Sequence, residues 1–110
     1  MAWLLLLGAI ASEVLATVAL KLSNGFTHLG WSAIVITGYL VSFLFLAQVL
    51  KTHMDIGTAY AIWSGVGTAA IALIGAAFLG ETLNLAKIGG ILLIISGVVV
   101  VNIASGAAAA

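Results

Sequence analysis

The 110-residue sequence contains no cysteine, no proline and very few charged residues. Without cysteine the chain has no disulfide, no thiolate metal ligand and no cysteine nucleophile. Three Lys and three Asp or Glu make up 5% of the residues, so the chain has neither a basic surface for nucleic acid nor an acidic tail. Its two His residues show no metal-ligand spacing. These scarcities argue against a nucleic-acid-binding protein and against a metalloenzyme.

Apolar residues, in contrast, make up 65% of the chain, which is far above the range of soluble globular proteins. A bilayer core needs about 20 apolar residues per helix. Charges and turn formers divide the sequence into four segments of that length, predicted at 3–22, 30–50, 57–79 and 86–104. We therefore expect an all-α membrane protein with one four-helix domain over 1–110, embedded in the lipid bilayer. The Ala-rich end, 105–110, is predicted to be a disordered tail.

One acidic residue, Glu13, lies in the middle of the first apolar segment. A charged side chain at the bilayer centre costs about 2.5 to 3.5 kcal/mol on insertion scales, so such residues usually face a cavity or a partner and usually have a function. All three lysines fall at segment ends, so none is available for an ion pair at this depth. Helical spacing places mostly small residues on the same face, which leaves room for a ligand: Leu6, Ala9, Ile10, Ala16 and Thr17.

Aromatic residues at helical spacing occur on two other segments. Tyr60 and Trp63 are three apart in the third, and Tyr39 and Phe43 are four apart in the second. Aromatic faces attract cations, so a carboxylate with aromatic walls is a site for a hydrophobic cation. Loss of solvation favours the protonated form of a carboxyl group, so protons and cations would compete for it. A structural alternative stays open, in which a protonated Glu13 merely hydrogen-bonds a neighbouring helix.

The fourth segment indicates self-association. Gly90 and Gly97 are two turns apart on one face, where the missing side chains let a second helix approach closely. With four spans, Lys51 lies on the side of the termini, and Lys21 and Lys87 lie on the other side. Orientation follows an excess of Lys and Arg in short loops. A difference of one lysine is small, so we expect copies to insert both ways.

Three stretches carry a family resemblance: "SEVLATVALKLSNGFT" around Glu13, "GTAYAIWSGVG" from residue 57, and "GG" through "SGVVVVN" in the last segment. With these, nearly the whole chain resembles the small multidrug resistance transporters, which are four-helix proton-coupled exporters. The resemblance implies an antiparallel homodimer in the inner membrane of a bacterium that works by alternating access, without a cofactor. "EVLAT" is similar to the branch that exports aromatic and quaternary ammonium cations, whereas the guanidinium branch typically has a Trp after the glutamate, as in "EVVWA".

The resemblance also implies roles for individual residues. Glu13 is the glutamate that binds protons or substrate, and aromatic substrate-site positions of the family are matched by Tyr39, Tyr60 and Trp63. The pair that lets the third helix bend is matched by Gly65 and Gly67, and the dimerisation helix by Gly90 and Gly97. Two features differ from the family pattern: "MDIGTAYA" lacks the common Pro before "GTAYA", and Ala16 stands where some drug exporters have Gly.

Three functions thus compete at the level of sequence: a proton-coupled exporter of bulky cations, a guanidinium exporter, and a nontransporting membrane protein in which Glu13 joins helices. An enzyme has no support, because the apolar spans hold no nucleophile, base and orienting group in plausible reach of one another.

Overall fold

The computed structural model describes residues 2–105, which form four α-helices. Their bounds are α1 Ala2–Leu22, α2 Leu29–Leu50, α3 Ile56–Phe78 and α4 Leu85–Ala104. The helices coincide with the four predicted apolar segments to within one residue at each end. All four helices are long and apolar enough to cross a membrane. Helices suit that environment because each backbone donor and acceptor finds its partner within the segment.

The connection from α1 to α2 is a tight left-handed turn. Asn24, Gly25 and Phe26 have φ angles of 49°, 71° and 67°, which no helix can accommodate. The hydroxyl of the fully buried Ser23 donates to the carbonyl of Leu20 at 2.7 Å and accepts from the N–H of Phe26 at 3.0 Å. This turn therefore ends α1 at Leu22, where the first segment was predicted to end.

Close packing at two glycines holds α1 and α2 together. A β-carbon added at Gly38 would lie 2.7 Å from that of Ala16, and one added at Gly8 would lie 2.9 Å from the ring of Phe45. The pairing of 8 with 45 and of 16 with 38 shows that the two helices run antiparallel. Small residues permit such contact between membrane helices.

The α3–α4 pair has its own defined ends. The N–H groups of Leu79 and Glu81 both donate to the carbonyl of Gly75 at 3.0 Å, and Gly80 follows the helix at a φ of 70°. The side chain of Asn84 caps α4 by accepting a 2.9 Å hydrogen bond from the N–H of Lys87. The chain therefore leaves α3 through a left-handed glycine and enters α4 through a polar cap.

The helices group into two compact units, one containing α1 and α2 and the other α3 and α4. The expected single four-helix domain therefore stays a prediction. Burial differs sharply between helices, since α1 contains seven buried residues and α4 none. Apart from the side that packs against α3, the surface of α4 is thus left for lipid or for another chain. Of the predicted tail, Ser105 forms a turn after α4, and 106–110 lie outside the described residues.

Candidate functional site

Glu13 lies one residue beyond the centre of α1 and is half-buried. At a rise of 1.5 Å per residue it stands about 14 to 17 Å from either end of the helix, close to the middle of a bilayer core. Within the four described helices it is the only acidic residue. The other charged side chains lie in a terminal turn or in a connection: Lys21, Lys51, Asp55, Glu81 and Lys87.

A row of three polar side chains joins α1 to α2 at this depth. The hydroxyl of Thr17, one turn after Glu13, lies 2.8 Å from the hydroxyl of Tyr39 on α2. The same hydroxyl donates a long, 3.4 Å hydrogen bond to Oε2 of Glu13. The structure thus brings together three of the predicted site residues, Glu13, Thr17 and Tyr39, and all three are half-buried.

Gly38 fixes the distance between the helices beside this row. Its missing side chain lets the backbone approach Ala16, and an added β-carbon would also lie 3.1 Å from the carbonyl oxygen of Ser12. Sequence reasoning missed Gly38. The signal was present, because Ser12 and Ala16 are four apart, and such pairs of small residues are typical of close helix contacts.

The remaining predicted site residues of the first unit differ in exposure. Ala9 is fully buried and Ile10 is 3% exposed, whereas Phe43 is 59% exposed. Ala9 and Ile10 are therefore buried side chains of α1, and Phe43 is an exposed side chain of α2. Their roles at a binding site stay predictions.

On α3, the two aromatic residues predicted to line the site are exposed to different extents. Trp63 is 9% exposed and Tyr60 is 69% exposed. Both glycines of the predicted bending pair are buried within an unbroken helix. Gly65 packs against Val98 of α4, and a β-carbon added at Gly65 would overlap a methyl group of Val98. A β-carbon added at Gly67 would lie 3.9 Å from the ring of Trp63. Gly65 therefore has a packing role that its assignment as a hinge did not include.

Among residues 2–105, no three His, Asp or Glu side chains lie close enough together to hold a metal ion. The chemistry of the described site therefore rests on one carboxyl group and two hydroxyl groups. These groups can bind and release a proton and can attract a cation.

A family model described as "Small Multidrug Resistance protein" matches residues 1–94. The chain belongs to the small multidrug resistance family. This match and the four membrane-spanning helices make it a multi-pass membrane protein.

Three curated proteins are similar to this chain over most of their length. The quaternary ammonium compound-resistance protein QacE of Escherichia coli is 50% identical over 107 residues, 97% of this chain and 96% of its own. The multidrug resistance protein EbrB of Bacillus subtilis is 51% identical over 94 residues, 86% of this chain and 80% of its own. The nicotine metabolites export pump subunit NepA of Paenarthrobacter nicotinovorans is 46% identical over 104 residues, 94% and 89% of the two chains.

Proposed function

We propose that this small multidrug resistance protein exports hydrophobic aromatic and quaternary ammonium cations in exchange for protons, and that Glu13 binds either the proton or the cation. The observation that carries this proposal is the position of Glu13, a half-buried carboxyl group near the centre of α1 with two hydroxyl groups in a row beside it. The names of QacE and NepA, which refer to quaternary ammonium compounds and to export, support the substrate class and the direction of transport.

Competition for one carboxylate couples the two fluxes. A cation that binds the ionised carboxylate leaves no charge for a proton, and a bound proton removes the charge that attracts the cation. In a site of low dielectric constant both interactions are stronger than in water. Each passage through the membrane then carries one or the other, and a proton gradient drives the cation out of the cell.

The proposal includes an antiparallel homodimer with alternating access. Support comes from α4, which has no buried residue and where a β-carbon added at Gly90 or Gly97 would meet nothing within 4 Å. Two opposed copies would exchange conformations to open a shared cavity to either side, as inverted repeats do within one chain. The residues proposed to bind the cation are Glu13, Tyr60 and Trp63.

The test is transport into proteoliposomes under an imposed proton gradient, with a quaternary ammonium dye and guanidinium assayed side by side. Gradient-driven accumulation of the dye supports the proposal. Accumulation of guanidinium alone would instead identify the guanidinium exporter. Absence of transport for both, with the protein inserted, would favour the structural role for Glu13.

Trp63→Ala is expected to weaken the binding of flat aromatic cations more than that of small cations. Cation–π contacts contribute about 0.5 to 2 kcal/mol, which corresponds to about a 2- to 30-fold change in Kd. Isothermal titration with an aromatic and a small quaternary cation measures the difference. Trp31→Ala is the matched control, because Trp31 is 41% exposed on α2 and has no predicted role. Equal losses for both ligands would indicate that Trp63 serves packing instead.

Gly97→Ile is expected to reduce dimerisation, because the added side chain would hold two α4 helices apart. Overpacking a contact costs about 1 to 3 kcal/mol, so the dissociation constant of the dimer should rise by about 5- to 150-fold. Dimer fractions in detergent, measured by light scattering, give the answer. Gly89→Ile is the control, since Gly89 is equally open but points about 80° away around the helix. An unaltered dimer fraction for Gly97→Ile would remove this face from the interface.

A further inference from the structure

We propose that Thr17 is a hydrogen-bond relay that connects the hydroxyl of Tyr39 to the carboxylate of Glu13, and that this relay sets the balance between proton and cation at Glu13. The inference rests on the proposed function and deepens it. It also changes the expected roles of Thr17 and Tyr39. Both become positioning residues that act through Glu13, whereas the sequence suggested direct contact with the cation.

The distances define the direction of the relay. The Thr17 hydroxyl lies 2.8 Å from that of Tyr39 and 3.4 Å from Oε2 of Glu13. A threonine hydroxyl carries one proton and two lone pairs. When Thr17 donates its proton to the ionised Glu13, the short bond to Tyr39 has to be donated by the tyrosine. Both hydroxyl groups then point toward the carboxylate, which stabilises the form that attracts the cation.

The same three groups accept the protonated state by reversing the order of donation. A protonated Glu13 donates to Thr17, and Thr17 donates to Tyr39, whose oxygen accepts. Only the two hydroxyl protons rotate, and no proton leaves its oxygen. Hydrogen bonds in such a row strengthen one another in surroundings of low dielectric constant. The row therefore has one arrangement for each protonation state of Glu13, and the arrangement that donates to the ionised carboxylate is the more strongly bonded of the two.

The packing of the two helices holds the relay in place. Gly38 and Ala16 precede Tyr39 and Thr17 by one residue each, and they mark the contact where an added β-carbon would come within 2.7 Å. The helix packed against α1 is α2, and Tyr39 is the one titratable side chain in the sequence of α2. On α1 the nearest charged residue is Lys21, eight positions or about 12 Å along the axis. Tyr39 is thus the titratable group that α2 presents to Glu13.

The experiment titrates tetraphenylphosphonium binding against pH, using the full chain purified in detergent. Wild-type affinity should fall as the pH is lowered, because protons compete for Glu13. Thr17→Val and Tyr39→Phe should each move the midpoint to higher pH by roughly half to one unit, and the double variant should move it no further. Affinity well above the midpoint should stay within about two-fold of wild type, because neither side chain touches the cation.

Two further variants complete the design. Thr17→Ser keeps the hydroxyl and should restore the wild-type midpoint. Ser12→Ala is the matched control, because Ser12 adjoins Glu13 in sequence but donates at 2.9 Å to the carbonyl of Gly8 in its own helix. It should leave the midpoint unchanged. If Thr17→Val fails to fold, Tyr39→Phe and its comparison with Ser12→Ala decide the question alone.

Three results would overturn the relay. The first is weaker binding by Thr17→Val and Tyr39→Phe at every pH with an unshifted midpoint, which would make the two residues direct ligands of the cation. The others are additive midpoint shifts in the double variant and a midpoint that Thr17→Ser does not restore. A failure of the proposed function is distinguishable from these. It would show as wild-type binding that does not depend on pH, or as pH-dependent binding that persists in Glu13→Gln.

Discussion

Glu13→Gln is expected to reduce proton-driven cation transport to the level of protein-free liposomes, while the protein still inserts and dimerises. Glutamine has nearly the same volume as glutamate but carries no charge and binds no proton. The variant can therefore bind neither the proton nor the cation at this position. Insertion should become easier, because an ionised residue at mid-membrane costs about 2.5 to 3.5 kcal/mol on insertion scales. Dye accumulation in proteoliposomes, with and without a proton gradient, measures the loss.

Asp55→Asn provides the control for this experiment. It removes one acidic charge from an exposed position just before α3, where the Asp55 side chain makes no capping hydrogen bond. Acidic residues contribute little to orientation, so insertion should be unaffected. Transport by Asp55→Asn should remain at the wild-type level. Gradient-driven transport that survives in Glu13→Gln would contradict the role of Glu13 in both proton and cation binding.

A variant forced into one orientation is expected to lose transport, which returns when it is mixed with an oppositely biased variant. His53→Lys and Asp55→Lys, combined with Lys21→Gln, place three lysines beside the termini and one on the other side. Lysine-rich loops stay in the cytoplasm, so all copies should place their termini there. Lys51→Gln leaves two lysines against none and gives the opposite bias. Only the mixture can form antiparallel dimers.

The orientation itself is measured with a single cysteine, which the chain otherwise lacks. Thr82→Cys lies in the exposed connection between α3 and α4. In the otherwise unmodified protein it should react with membrane-impermeant reagents from both sides of the membrane, and in each biased variant from one side. Labelling of the unmodified protein from one side only would exclude dual insertion. A parallel dimer or a pairing with a second chain would then replace the antiparallel model.

The helices could be predicted from the sequence, because the hydrocarbon core of a membrane contains no water to hydrogen-bond the backbone. Segments of about 20 apolar residues must be helical to satisfy their backbone groups, and charges or left-handed turns must end them. That is why the predicted end of the first segment matches the end of α1 at Leu22, and why the depth of Glu13 followed from its place in the segment.

Burial was harder to predict than helix position. Tyr60 and Trp63 are three apart and were assigned to one face, yet one is 69% exposed and the other 9%. Three residues correspond to about 300° of rotation, so two such positions still differ by about 60° around the helix. The neighbours of α3 decide which of the two is covered. Helical periodicity in the sequence does not show which of the two side chains is covered.

The sequence by itself determined the number of spans, the family and the depth of the one acidic residue within the helices. Only the tertiary structure decided which side chain of α2 joins the row beside Glu13. Thr17 and Tyr39 are 22 positions apart on different helices, and their hydroxyls meet because Gly38 allows α2 to come close to Ala16. Helical periodicity fixes which residues share a face within one segment. The register between two helices is set instead by where small residues let their backbones touch, and that depends on both helices together.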